Sequence, residues 1–248
     1  MGNYIYGITE AAEGESFGPL GVGGRGDELT SITYRDIAAV VSESPVKRYP
    51  VSRENSLVHE RAIETVFKRH TVLPVRFCTI AEDEAAVRAI LEREHDEFRA
   101  LLTAMRDKVE VGVKAIFHET FIYQEILERY GEIRQRKEAV ASLPSPKAHW
   151  QLVEIGRMVE AALEAEKARV REEIVDVLKG ACCDFRLTHR LLGERMIMNA
   201  AFLVDRDREA AFDRRMDGLV ERYGERITFK YVGGFPPFNF VCLVINVE

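Results

Sequence analysis

The chain has 248 residues, 46% hydrophobic and 31% charged, which is apolar material for one large or two small folded domains and excludes a disordered chain. A net charge of −6 argues against nucleic acid or an anionic membrane as the main partner, because phosphate binding draws on clustered cations. The four cysteines, Cys78, Cys182, Cys183 and Cys242, form no C-x-x-C pair; the start of the chain lacks signal-peptide character, and no apolar run approaches the ~20 residues that span a bilayer. Reduced thiols in a cytosolic protein are the expectation.

In chain order, NYIYGIT (Asn3–Thr9) is β-branched and aromatic and reads as a strand. A glycine-rich loop follows, then two strands at Leu29–Tyr34 and Ile37–Ser42 around a tight turn at Arg35–Asp36. Ser52 is placed to cap a helix reaching about Arg69, in which Val58, Ala62, Ile63, Val66 and Phe67 recur at helical spacing. TVLPVRFCTI (Thr71–Ile80) reads as the next strand, and Asp83–Met105 as a second helix. KVEVGVKAIF alternates Val109, Val111, Val113, Ala115 and Phe117 on one face, the pattern of a half-buried strand. This interleaving suits an α+β sandwich with helices on one face of a sheet.

The middle is helical. Glu119–Ala141 and Lys147–Lys179 are separated by SLPSP, where Pro144 and Pro146 interrupt the helical ladder. The second helix would be ~50 Å long, so it either breaks near Gly156 or projects in a helical hairpin. Beyond it, ACCDFRLT and RMIMNAAFLV read as strands, and DREAAFDRRMDGLVERYG as a helix ended by Gly224. RITFKYV and FNFVCLVINV read as strands joined by GGFPP. With KVEVGVKAIF as its opening strand, this half is β-α-β-β-α-β, the ferredoxin-like pattern. The fold class expected is α+β, with two ferredoxin-like-type α/β-sandwich domains over residues 1–107 and 108–248. A helical hairpin at 119–179 lies between them or within the second.

Motifs for chemistry are sparse. GVGGRG (Gly21–Gly26) matches G-x-G-x-x-G but lacks a strand directly before it and a helix directly after it, so it reads as a loop. HERAI begins like H-E-x-x-H but places Ile63 at the second ligand position. His59 and His70 would lie ~16 Å apart along a helix, too far to share an ion, so His59 reads as a satisfied, partly buried histidine. No nucleophile motif is present, and no metal or cofactor set is expected. Arg76 sits in a strand apolar on both faces. It is therefore expected to be partly buried and paired with Glu60 or Glu64 of the preceding helix. The stiff turn GGFPPF offers Phe235, Pro236, Pro237 and Phe238 either to a partner or to the protein's own core.

Taken in order and spacing, YIYGI, IAAVVS (Ile37–Ser42), His59–Glu60, VLPVRFCT (Val72–Thr79), VEVGVKAIF, NAAFLV (Asn199–Val204) and GGFPPFNFV resemble the gas vesicle protein F/L family over nearly the whole chain. The most specific pieces are L-P-x-R-F and the late G-x-x-P-P-aromatic turn. This chain departs from the family pattern at Cys78, where glycine is usual, and at Phe235, where tryptophan is usual. The cysteine implies a backbone there that has no need of glycine. The resemblance implies a non-enzymatic accessory or structural protein of gas vesicles, without cofactor, catalytic or metal residues. It also implies two modified ferredoxin-like α+β domains, and partners among the small hydrophobic shell protein and other gas vesicle accessory proteins. Nucleic acid and membrane are not among the partners implied, and the location implied is the cytoplasm and the gas vesicle. The competing expectation is a ferredoxin-like enzyme or small-ligand sensor with a pocket near His59 and Arg76, His70 being the third residue to inspect.

Overall fold

In β1 (Gly2–Glu10) almost every residue is buried, which a strand achieves only with cover on both faces of its sheet. The computed structural model describes residues 1–11, 14–141, 145–188 and 193–247, the side chains of 145–147 excepted. The chain divides into two units, Met1–Glu110 with Gly233–Glu248, and Val111–Val232.

The first unit holds a five-stranded sheet of order β2-β3-β4-β1-β5, with β2 (Ser16–Gly18), β3 (Leu29–Tyr34), β4 (Ile37–Ser44) and β5 (Val72–Ala81). Its neighbouring strands run antiparallel. Ile5 and Ile8 of β1 join a core with Val87, Ile90 and Leu91 of α2 (Glu84–Arg93) and Phe98 and Leu102 of α3 (His95–Met105). Tyr4 and Tyr6 point to the opposite face, where both rings meet His59 of α1 (Arg53–Phe67). Helices therefore cover both faces, not the single face that interleaving suggested. Ser52 caps α1 as expected, accepting from the Asn55 N–H at 3.1 Å. The helix expected over Asp83–Met105 is instead two, parted at Glu94 (φ −103°, ψ 12°).

β5 is interrupted. Opposite β1, Ile5 faces Thr79 while Gly7 faces Pro74, so two steps on β1 are matched by five on β5. Residues 75–78 swell outward as an extended β-bulge.

The second unit carries a four-stranded sheet of order β7-β8-β6-β9, built from β6 (Lys108–Phe117), β7 (Asp184–Leu187), β8 (Met196–Asp205) and β9 (Ile227–Phe235). Between β6 and β7 run α4 (Glu119–Arg129), α5 (Gly131–Ala141) and α6 (Ser145–Leu178); between β8 and β9 runs α7 (Glu209–Tyr223). This is the β-α-β-β-α-β order read from the sequence. α6 is continuous through Gly156 for 34 residues. α4 and α5 run back along it, with Arg129 on Glu166 and Arg136 on Glu154, both at 2.8 Å. The helix expected over Glu119–Ala141 breaks at Tyr130 (φ −102°, ψ 77°) ahead of Gly131. Pro144 lies outside the described residues. Pro146 falls in the first turn of α6, where its missing N–H breaks no helical hydrogen bond.

FNFVCLVINV does not form the expected strand. Val241 and Leu243 join the α2–α3 core of the first unit. Leu243 makes one parallel bridge to Val75: its N–H donates to Pro74 O at 2.8 Å, and the Arg76 N–H donates to Leu243 O at 2.9 Å. The alternation of Val241, Leu243 and Ile245 looks like a strand, but only the short outer edge of the β5 bulge accepts it. Residues 233–248 thus belong with the first unit, whereas the sequence reading placed all of 108–248 together.

Candidate functional site

The sequence singled out the strand around Arg76, which the structure shows to be bulged, and the late turn. Beneath the bulge lies a buried polar network of the first unit. The Cys78 N–H donates to the Tyr4 hydroxyl oxygen at 2.8 Å. The Tyr4 hydroxyl bonds His59 Nδ1 at 3.1 Å, and His59 Nε2 bonds Val75 O at 3.0 Å. A carbonyl only accepts, so Nε2 carries the imidazole proton and Nδ1 accepts from Tyr4. His59 is 6% exposed, and burial pushes its pKa down to about 4. It is a neutral brace between α1, β1 and the bulge, with both ring nitrogens committed. The neighbouring Tyr6 bonds Ser42 at 3.0 Å and accepts from the Val22 N–H at 2.8 Å; Tyr49 bonds Ser44 at 2.9 Å. Such a network specifies a core when every member is satisfied, as here.

Arg76 lies in the bulge with its side chain exposed. Among the described residues no ion pair joins it to Glu60 or Glu64, against expectation. Burial first, and the Glu64 charge second, push the Glu60 carboxyl up, the opposite of what a guanidinium partner does. The expectation failed because strict strand alternation put Arg76 on an inner face, and the bulge removes that alternation. Cys78 has φ 68°, in the left-handed region that glycine occupies without cost. The glycine of the family pattern thus has a backbone reason, and this chain bears the strain with a cysteine, whose Sγ accepts from the Tyr49 N–H at 3.2 Å. That corrects the inference that the position has no need of glycine.

The buried charge in this region is Glu110, which the sequence reading missed. It is 6% exposed, and its carboxylate accepts from Asn239 twice, from the backbone N–H at 2.7 Å and from Nδ2 at 2.5 Å. The sequence signal was present in VEVGV, a carboxylate between two inward valines. This clamp seats the late turn: Pro236 and Pro237 are buried, while Phe235 and Phe238 are half-buried.

His70 does not join the His59 network, bonding instead Glu15 at 2.7 Å beside Arg69. A cavity of about 500 Å³ in the first unit is lined by Glu10, Asp36, Arg99, Leu102 and Arg106, with neither His59 nor Arg76 in its wall. Its charges neutralise each other, Arg106 on Glu10 at 2.6 Å and Arg99 on Asp36 at 3.2 Å. His95 joins Asp36 at 2.7 Å and Asp96 at 3.0 Å, and the bonds to Asp96 and Asp36 raise its pKa. Among the described residues no three His, Cys, Asp or Glu side chains converge as a metal would require, and no helix is long and apolar enough to cross a membrane.

Compared with known proteins, residues 2–242 match the family described as gas vesicle synthesis protein GvpL/GvpF. Gas vesicle protein F of Streptomyces sp. (strain CB03234) is 28% identical over 97% of this chain and 100% of its own length. Gas vesicle protein F of Dolichospermum flosaquae is 24% identical, with 97% of each chain covered. The crystal structure of GvpF from Anabaena sp. PCC7120 superposes with a TM-score of 0.81 at 23% identity, covering 96% of this chain and 97% of that one. GvpF from Microcystis aeruginosa gives 0.73 at 22% identity, covering 96% and 98%. These likenesses bear out the α+β class and its arrangement.

Proposed function

This chain belongs to the GvpL/GvpF family of gas vesicle proteins, and we propose that it is a non-catalytic accessory or structural protein that binds the small hydrophobic shell protein and assists gas vesicle assembly. The observation that carries this reading is the extent of the family match, within which both structural units fall almost entirely. The physical need is plain. A small, strongly apolar shell subunit exposes surface and strand edges before it assembles, and these aggregate unless covered. An accessory protein can cover them or lend a sheet edge. Two features support that role: the exposed β7 at the edge of the second sheet, and the half-exposed rings of Phe235 and Phe238 held in place by Pro236 and Pro237. Other accessory gas vesicle proteins are further partners in this reading, and the site of action is the cytoplasm and the vesicle surface. The net charge of −6 disfavours nucleic acid and anionic membrane as partners. The enzyme alternative loses its base, since His59 is buried with both nitrogens engaged.

The test is retention of purified shell protein by the immobilised full chain, together with deletion of the gene. Capture, and reduced vesicle yield or altered shape on deletion, are expected. No capture together with intact vesicles sinks the proposal. Immunodetection on washed, intact vesicles then separates a wall component, which stays, from an assembly factor, which washes away.

A further inference from the structure

Two surface patches of opposite charge each hold apolar side chains in water. The first is the loop entering α1. From Pro45 to Arg53 it carries Lys47, Arg48 and Arg53 and no carboxylate, in a chain of net charge −6. Val46 is 61% and Val51 85% exposed, and Leu57, one turn into α1, is exposed too. Among the described residues none of these three cations has a carboxylate partner; Lys47 lies over the Tyr49 ring at 5.4 Å. Other exposed arginines do find carboxylates, as Arg88 does with Glu84, Arg106 with Glu10 and Arg226 with Glu125. Arg53 also sits in the first turn of α1, where the helix dipole disfavours a cation. Apart from that cation–π contact of Lys47, no interaction of the fold uses the charge of this loop.

The second patch is α7. Glu209, Asp213, Asp217 and Glu221 recur every fourth residue and form one stripe. Like charges at that spacing repel and weaken a helix. Among the described residues none of the four pairs with a cation. Asp213 accepts from the hydroxyl of Tyr231 on β9. Beside the stripe, Val220 and Tyr231 are exposed.

Each patch costs the fold something and each supplies what the other lacks: cations with aliphatic side chains on one, a carboxylate stripe with Val220 and Tyr231 on the other. A foreign partner for either patch alone leaves the other unexplained. We propose that the occupant of each is a second copy of this chain, the 45–53 loop of one copy docking on the α7–β9 surface of the next. The two patches differ, so the contact is heterologous, and every copy retains one free patch until a ring closes. This inference stands apart from shell-protein binding.

The experiment is sedimentation of the full chain with rising concentration, at low salt and at ~1 M salt, where screening is nearly complete. Self-association at low salt that dissolves at high salt is expected. The triple variants Lys47→Glu/Arg48→Glu/Arg53→Glu and Asp213→Lys/Asp217→Lys/Glu221→Lys change exposed residues, and circular dichroism checks their folding. Each alone should associate more than ~10-fold more weakly, since like charges then face each other. Mixing the two should restore association, because each brings the charge the other lost. A monomer at every concentration, association indifferent to salt or to both variants, or a mixture that stays monomeric each overturns the proposal.

Discussion

The two sheets use their strands differently. β1 of the first unit is buried at nearly every position, and the polar groups around it are neutral and bonded to one another. β9 of the second unit is exposed along most of its length, and that unit ties its helices with charges, as where the buried Glu166 of α6 takes both Arg129 and Arg169. Burial would raise the Glu166 pKa, but Arg169 and Arg129 outweigh it and hold the carboxyl low. A strand covered on both faces is committed to its own core, whereas an exposed strand beside a carboxylate stripe leaves its face open to solvent.

The contrast is most severely tested at Tyr4 and Tyr231. Tyr4→Ala removes a ring that meets Tyr6, Tyr49, His59 and Phe77, and should cost ~3–5 kcal/mol in urea unfolding. Tyr231→Ala, at a half-exposed site, should cost ~1 kcal/mol; equal losses would erase the distinction. A second test is pH. An unfolded histidine titrates near ~6.5, whereas His59 folded titrates at about 4. Between those values the unfolded state binds the extra proton. Stability is therefore complete above ~6.5 and declines by roughly 3 kcal/mol as pH falls towards 4. His95 acts oppositely: its raised pKa contributes stability below ~6.5 that is lost as pH climbs through its folded value. Unfolding curves across this range, with and without His59→Gln, check the sign, and an unchanged slope in the variant would contradict the buried, neutral assignment.

Smaller effects sharpen the picture at the bulge. Cys78→Val puts a branched side chain at φ 68° and should cost ~1–3 kcal/mol. Cys78→Gly relieves the strain but frees the unfolded chain, and should fall within ~1 kcal/mol of the parent. Smallest of all, Arg76→Ala should change stability by no more than ~0.5 kcal/mol, as at other exposed positions. A loss of several kcal/mol would restore the buried ion pair that the structure removes.

Local patterns were legible where one rule dominates. β3 begins and ends as the alternation predicts, Ser52 caps its helix, and Gly224 ends α7 with φ 51°. What was not legible depends on distant partners. The break at Glu94 lies inside an uninterrupted helical pattern, and the bulge at 75–78 leaves no mark except a cysteine where the family usually has glycine. Arg76 and Glu110 look alike in sequence, each a charge among apolar residues, yet one is exposed and the other buried. The difference is Asn239, which brings Glu110 two donors from 129 residues away. The late turn was readable as a stiff element, but not as one held by that carboxylate.

The return of Val241 and Leu243 to the first core has a consequence for the order in which the protein is made. A ribosome delivers β1 to α3 early, but the residues that finish their packing emerge only after the whole second unit. Until then the bulged edge of β5 at Pro74 and Arg76 lacks its Leu243 partner, and the first unit must wait through synthesis of the entire second one. Nascent chains stalled or cut short before Val241 therefore leave the ribosome with that edge uncovered. Val241 and Leu243 thus complete a core begun more than two hundred residues earlier.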